Sequence, residues 1–354
     1  MTQTLAIFLD AYRDLNSRKL FWLAIGVSLL GVLLVALVGI DETGVSVAWF
    51  HIDSQFVNTV FIPPATFYKL IFQALGINVW LTWLAAILAL ISTASIVPEL
   101  LASGAIDMML SKPISRTRLF LTRWVTGLFF AGMQALVFVT ASFLVIGLRG
   151  GAWEPSLFVA VPTVVVFFSY LYCFCALMGV LTRSTVASLL LTLVFWLVVF
   201  GLQELEQFAN RGRIASTMEI AAIEEAIETR VSKNAAADVD RLRADLERER
   251  IAAVRWERLY WPCWAVVTAL PKTNETTEWL QRRLVERASF RRPPDEESTL
   301  NFFGSRRVKR RDFNDAVFED AERRKGAAWV IGTSLAFEAV MLGGCAWIFR
   351  RRDF

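Results

Sequence analysis

Apolar residues in this chain gather into a few long runs, separated by short polar stretches and by one long charged one. A helix needs about 20 apolar residues to cross roughly 30 Å of hydrocarbon. Five runs reach or approach that length ahead of the charged stretch: Leu20 to Ile40, Val79 to Val97, Leu119 to Leu148, Leu157 to Leu181 and Val186 to Leu202. A sixth, Ala327 to Phe349, follows it. The pattern predicts an all-α polytopic membrane protein: six transmembrane helices, with a large helical extracytoplasmic insertion between the fifth and sixth. The third run is long for one span and predicts a helix that tilts or starts at the interface.

Between and around these runs the periodicity changes. In residues 1–19, Leu5, Ile7, Phe8, Tyr12 and Leu15 recur at roughly helical spacing, which predicts an amphipathic cytoplasmic helix lying on the membrane surface; the other reading is a frayed tail. In the first outer loop, Val45 to Phe50 reads as a strand and Phe67 to Leu75 as a short interfacial helix. Residues 204–326 read as a helical hairpin. Met218, Ile220, Ile223, Ile227 and Val231 mark one amphipathic helix, broken near Lys233 and Asn234, and Val239, Leu242, Leu246, Ala253 and Trp256 mark a second. Trp256 to Leu270 is apolar and aromatic but too short to span, and Pro262 interrupts it, so an interfacial or re-entrant element is expected. The remainder, to Arg324, reads as loop with short helices. The chain thus divides into 1–19, a membrane part at 20–203 with a cytoplasmic loop at 98–118, the outer segment 204–326, and a last span with a basic tail at 327–354.

Composition agrees. Of the 354 residues 55% are hydrophobic, 20% are charged, and the mean hydropathy is +0.48. A soluble domain carries nearer a quarter charged residues. Of the 37 Lys and Arg, 24 lie between Glu204 and Lys325 with 23 of the 33 acidic residues, leaving the rest of the chain almost uncharged. The net charge of +4 would suit nucleic acid, but the charged segment is mixed in sign and nearly balanced, which argues against that partner. Basic side chains in short loops orient membrane proteins. With both termini in the cytoplasm, Arg13, Arg18, Lys19, Lys112, Arg116, Arg118, Arg123, Arg183 and Arg350 to Arg352 lie inside, against Lys69 and Arg149 outside. The expected location is a cell (inner) membrane, multi-pass. No cleavable leader is expected at the N-terminus, since the first apolar run lacks a small-residue cleavage site.

Chemistry is sparse. The phosphate-binding Gly-x-x-x-x-Gly-Lys-Ser/Thr loop, His-Glu-x-x-His and Gly-x-Ser-x-Gly do not occur, and His51 is the single histidine. The four cysteines form no framework of paired spacings. No catalytic residue, cofactor or metal site is therefore expected, and the chain is not expected to be an enzyme. The basic cluster Arg306, Arg307, Lys309, Arg310 and Arg311 is either a solvated face or a site for anionic headgroups or sugars. Glu338 falls near the middle of the last run, where a charge costs about 2.5–3.5 kcal/mol on insertion scales. It is a candidate for an intramembrane polar contact, with Gln134 as the expected partner; the alternative is a protonated Glu facing a neighbouring helix. Gly26 with Gly31, and Gly343 with Gly344, are candidates for close helix approach.

The loop between the second and third runs carries the most specific pattern. A short helix from Glu99 to Leu110 is stopped by Ser111, Lys112 and Pro113, and Ser115 can cap the helix that follows. Leu100, Leu101, Ile106, Met108, Met109 and Leu110 give it more apolar surface than a loop needs for itself, which marks a docking site. An acidic residue, a glycine and then Asp-x-x-Leu-Ser-Lys-Pro-Ile-Ser-Arg between two spans resembles the permease subunits of type-two, export-type ABC transporters. The closing aromatic-Arg-Arg-Arg-Asp-Phe and the order of spans are similar as well, so the resemblance covers residues 1–203 and 327–354. The outer segment, over 120 residues long, departs from the family's short re-entrant helices there, and Leu270 to Thr273 is the stretch that resembles them. The resemblance implies a coupling helix seated in a groove of a separate ATPase subunit, a second permease copy (the same chain or a different one), and membrane lipid around both. Glu99, Gly104, Asp107, Leu110, Lys112, Pro113 and Arg116 match the motif, and Met108 and Leu110 would anchor in the groove. ATP hydrolysis would reside in the partner, and movement of a substrate, in the export direction, in this chain. The alternative is a non-transporting scaffold whose outer hairpin recruits an extracytoplasmic partner. A secondary transporter is disfavoured, since no internal repeat is evident.

Overall fold

The computed structural model describes residues 19–47, 49–53, 59, 62–101, 115–232, 236–285 and 308–351, with Leu9 and Arg13. The expected helix over 1–19 falls almost wholly outside the described residues, as do residues 352–354 of the tail. The chain is mostly helical, and five helices are long and apolar enough to cross a membrane: Pro64–Glu99, Arg116–Gly150, Pro155–Thr182, Thr185–Val231 and Ala327–Arg351. The expected first span forms a shorter apolar helix, α1 (Lys19–Ala36).

Contacts divide the chain into two units. The first holds Met1–Trp196, Thr273–Arg291 and Ser334–Phe354; the second holds Leu197–Lys272 and Arg292–Thr333. In the first unit, α1 is followed by a small antiparallel sheet of β1 (Val38–Ile40), β2 (Gly44–Val47) and β3 (Phe50–Asp53). The single strand expected over Val45 to Phe50 is therefore two strands joined at a turn. Val47 pairs with Phe50, leaving Trp49 in the reversal. The next span begins earlier than the hydropathy indicates. The interfacial helix expected at Phe67 to Leu75 is continuous with it: α2 (Pro64–Ile71), a π-helical stretch (Phe72–Ala85) and α3 (Ala86–Thr93) run on to α4 (Ile96–Leu100). Pro64 sits at the first helical position, where its missing N–H costs nothing.

The long third run is one helix, α5 (Arg116–Gly150), whose 35 residues rise about 52 Å. Ser115 caps it as expected, its Oγ accepting the Arg118 backbone N–H at 3.3 Å, and Gly151 ends it with φ +68°. A 3₁₀ turn (Pro155–Val159) leads into α6 (Ala160–Thr182), and Arg183, at φ +56°, turns the chain into α7 (Thr185–Ser232). Helix α5 packs on both α1 and α6, α1 also meets the π-helical stretch, and small residues allow close approach. A Cβ on Gly127 would stand 2.6 Å from the Tyr172 ring, and one on Gly31 would stand 3.1 Å from Trp80. Gly26, Gly343 and Gly344 face open space within this chain. Trp196 is buried, stacked 4.6 Å from Trp83 and edge-on to Phe167. The first part of α7 and much of α11 (Ala327–Arg351) carry bare apolar side chains, among them Val186, Val194 and Val340.

In the second unit, α7 runs without a break through residues expected to separate a span from an amphipathic helix. Its partner α8 (Ala236–Ala269) passes through Pro262 to the end of the stretch expected to be interrupted there. The expected break at Lys233 and Asn234 lies outside the described residues. The two helices meet along the predicted stripes, with Ile223, Val239 and Leu246 buried. A Cβ on Gly212 would stand 2.4 Å from the Trp256 ring, so only glycine lets that indole lie on α7. Phe313 on α10 (Arg310–Arg324) and Val308 just before it form a cluster with Ile214 and Ala215. Ion pairs join the elements: Lys325 to the fully buried Glu206 at 2.6 Å, Arg213 to Asp320 at 3.2 Å, and Arg324 to Asp320 at 2.9 Å. Tyr260 lies under both Arg213 and Arg324.

Candidate functional site

The segment singled out by its motif joins two of the long helices. Glu99 is exposed at the end of α4, and Arg116 opens α5. Gly104, Asp107, Met108, Leu110, Lys112 and Pro113 lie outside the described residues. Local packing fixes where the segment leaves the bundle. Ile96, Val97 and Leu101 are buried with Phe120, Trp124, Val180 and Phe349. Gly179 on α6 admits Pro98, whose Cδ would stand 3.2 Å from a Cβ there. Leu101, expected to add to the exposed apolar surface, belongs to this core. Arg123, on the second turn of α5 and inside the third apolar run, is buried. In the same cluster Phe349 packs on Phe120, and nearby in the chain Arg351 lies over the Trp347 ring at 4.4 Å.

Glu338 makes a polar contact with a residue other than Gln134. Glu338 on α11 is buried, and Ser169 on α6 donates a 2.6 Å hydrogen bond to its Oε2. Gln134 faces elsewhere in the core, and its carboxamide makes no hydrogen bond among the described residues. Tyr170, next to Ser169, is fully buried beside Ser334 and Thr276 and within electrostatic reach of Glu338, though its hydroxyl stands at full hydrogen-bond geometry from none of them. The result is a carboxyl, a phenol and three small hydroxyls gathered between α6, α11 and α9 (Thr273–Val285).

Helix α9 is the part that the sequence conceals. Its first turns, Thr273, Asn274, Glu275, Thr276 and Thr277, are all buried, against α6 and the π-helical stretch. Trp279 and Leu280 complete the seat in the outer core cluster, and Gln281 hydrogen-bonds Asn78. Thr-Asn-Glu-Thr-Thr carries no apolar signal, so hydropathy reads it as loop. Just before it, in the second unit, the fully buried Lys272 donates to the carbonyls of Thr268, Leu270 and Val267 at 3.0, 3.3 and 3.4 Å, closing the end of α8.

Among the described residues no group of three His, Cys, Asp or Glu converges to hold a metal ion. His51 pairs with Thr43 and Asp53 on the sheet surface. Comparison of the chain with protein-family models, with curated proteins and with solved structures finds no match in any of the three.

Proposed function

We propose that this chain is the membrane-spanning permease subunit of an ATP-binding-cassette transporter, with six spans, both termini cytoplasmic, and ATP hydrolysis in a separate subunit. The observation that carries the reading is the Asp107 to Arg116 motif, Asp-x-x-Leu-Ser-Lys-Pro-Ile-Ser-Arg. It falls between two helices each long enough to cross a bilayer, and Glu99 and Arg116 stand at their facing ends. In this reading the loop at 98–118 carries the coupling element, a short helix from Glu99 to Leu110. Met108 and Leu110 enter an apolar groove of the ATPase, Lys112 and Arg116 pair with its acids or with lipid phosphates, and Pro113 sets the turn back into α5. Packing of Val97, Pro98 and Leu101 against α5 and α6 supports it, because a force applied to the loop would then reach spanning helices through buried contacts. The bare apolar faces of α7 and α11 suit lipid and a second permease copy. The substrate moves outward in this reading.

A second reading draws on the outer hairpin. Ile251, Val254 and Trp261 are exposed along α8, an apolar stripe suited to an extracytoplasmic partner of a non-transporting scaffold. One experiment separates the two: purification of the intact chain from its own membranes beside Leu110→Asp. Recovery of a nucleotide-binding subunit with the intact chain, and its loss with the variant, supports the permease. Absence of any such subunit, or equal recovery with both, overturns it in favour of the scaffold.

A further inference from the structure

The small sheet after α1 has two unlike faces. Its register pairs Val38 with Val47, Ile40 with Val45, Val45 with Ile52 and Val47 with Phe50, so these six side chains share one face, and Gly39, Ser46, His51 and Asp53 share the other. On the polar face His51 meets Thr43 at 2.9 Å and Asp53 at 3.2 Å. The inner half of the apolar face is seated: Ile40 is buried, Val38 and Val45 pack on the outer core cluster, and Tyr68 donates to the Val38 carbonyl at 2.9 Å. The outer half is bare. Phe50 is 69% exposed, Ile52 59%, Val47 40%, and Trp49 in the turn 88%.

The length of α1 says what lies against that bare half. Eighteen residues rise about 27 Å, slightly short of a hydrocarbon layer of about 30 Å. With Lys19 among headgroups at one end, the helix runs out near the opposite hydrocarbon boundary, and β1 starts two residues later. Leu33, Leu34 and Leu37 are bare at this end and lead without a polar interruption into Val38. Exposed apolar residues thus run from the end of α1 into the strand that opens the sheet.

We propose that the outer half of this face, Val47, Trp49, Phe50 and Ile52, is inserted in the interfacial layer of the bilayer, with lipid as its occupant. Aromatic side chains favour that layer, and amphipathic elements lie in it with the apolar face a few ångströms deep. Depth is limited by the backbone: β3 is the edge strand of the sheet among the described residues, and edge N–H and C=O groups need water or headgroups. Side chains enter the acyl boundary while the strand stays at headgroup level and His51 faces water.

The inference rests on reading α1 as a span, and the test keeps the two apart. Nitroxides are attached at Phe50→Cys, Ile52→Cys, His51→Cys and Leu33→Cys, one at a time, in a Cys263→Ser chain reconstituted into vesicles of phosphatidylcholine and phosphatidylglycerol. Collisions with oxygen and with a water-soluble nickel chelate are then compared. Expected are oxygen exceeding nickel several-fold at positions 50, 52 and 33, and the reverse at 51. Nickel dominating at 50 and 52 while oxygen dominates at 33 overturns the proposal and leaves the span standing. Nickel dominating at 33 overturns the span, and the proposal with it. Exclusion of both reagents at 50 means protein covers the face, a second copy if the spectra show dipolar broadening, and overturns the proposal.

Discussion

Ser169 donates to the Oε2 of Glu338 across 2.6 Å, joining α6 to α11 through two buried side chains. Bonds of this kind between membrane helices contribute about 0.6 kcal/mol on average and up to about 1.7. Ser169→Ala is expected to lower stability within that range. In a double-mutant cycle with Glu338→Gln, unfolded by titrated dodecyl sulfate in mixed micelles, a coupling of roughly that size should appear. Strict additivity of the two substitutions would show that the bond contributes nothing.

Gly212 and Trp256 make a tighter constraint. A methyl group at 212 would overlap the half-buried indole, and a shift of the ring would disturb its edge-on contact with Phe208 at 5.4 Å. Gly212→Ala is expected to destabilise the second unit by about 1–3 kcal/mol, the usual cost of overpacking, although alanine is the better helix former. Thermal unfolding followed by circular dichroism reads this directly. A higher midpoint than the parent chain would mean that helix propensity outweighs the clash.

Lys272 holds the end of α8 by a cage of carbonyls and lies 4.5 Å from the Trp329 ring centroid. Lys272→Met keeps the apolar stem and removes the charge, leaving those carbonyls without their donor; a loss of about 1–3 kcal/mol is expected. Hydrogen exchange should speed up over the last turn of α8 before it does elsewhere. Unchanged protection at Val267 to Leu270 would sink the capping role.

Glu249 sets a pH dependence for the pair of helices α7 and α8. Burial raises its carboxyl above the ordinary value, Glu219 on the facing helix raises it further, and Arg255 partly opposes both. A raised value in the folded state means that its contribution to stability is complete below the unfolded carboxylate value and is lost as pH rises through the folded one. Glu249→Gln is therefore expected to raise the melting point at neutral pH and to have little effect in acid. Melting curves at pH 4 and pH 7 check the sign, and a gain confined to acid would contradict it.

Several elements were legible from the chain alone because their causes are local. Long apolar runs give the spanning helices, Ser115 gives a cap, and stripes such as Ile223 with Val239 and Leu246 give the hairpin. Others depend on partners remote in sequence. Between Leu202 and Val231 only Gly212 resists helix, too weakly to stop it, so α7 runs through a change of polarity that reads as a boundary. Pro262 is carried inside α8. Phe72 to Ala85 differ from an ordinary helix only in the widening of their turns, which no residue type announces. At the candidate site the sequence marks the motif from Glu99 to Arg116 and the charge at Glu338. It does not reveal Ser169 as the partner, because serines in apolar helices are commonly satisfied by the preceding turn.

The burial of Thr273 to Thr277 bears on how the molecule is assembled. A segment of that polarity has no affinity for hydrocarbon and cannot enter the membrane by partitioning, as the apolar helices do. Its side chains are accommodated only by a seat on α6 and the π-helical stretch, and that seat does not exist until those helices have come together. Docking of α9 is therefore a late event in biogenesis. Thr276 comes beside Tyr170 only then, and the polar cluster around Glu338 stays incomplete until α11 has been made.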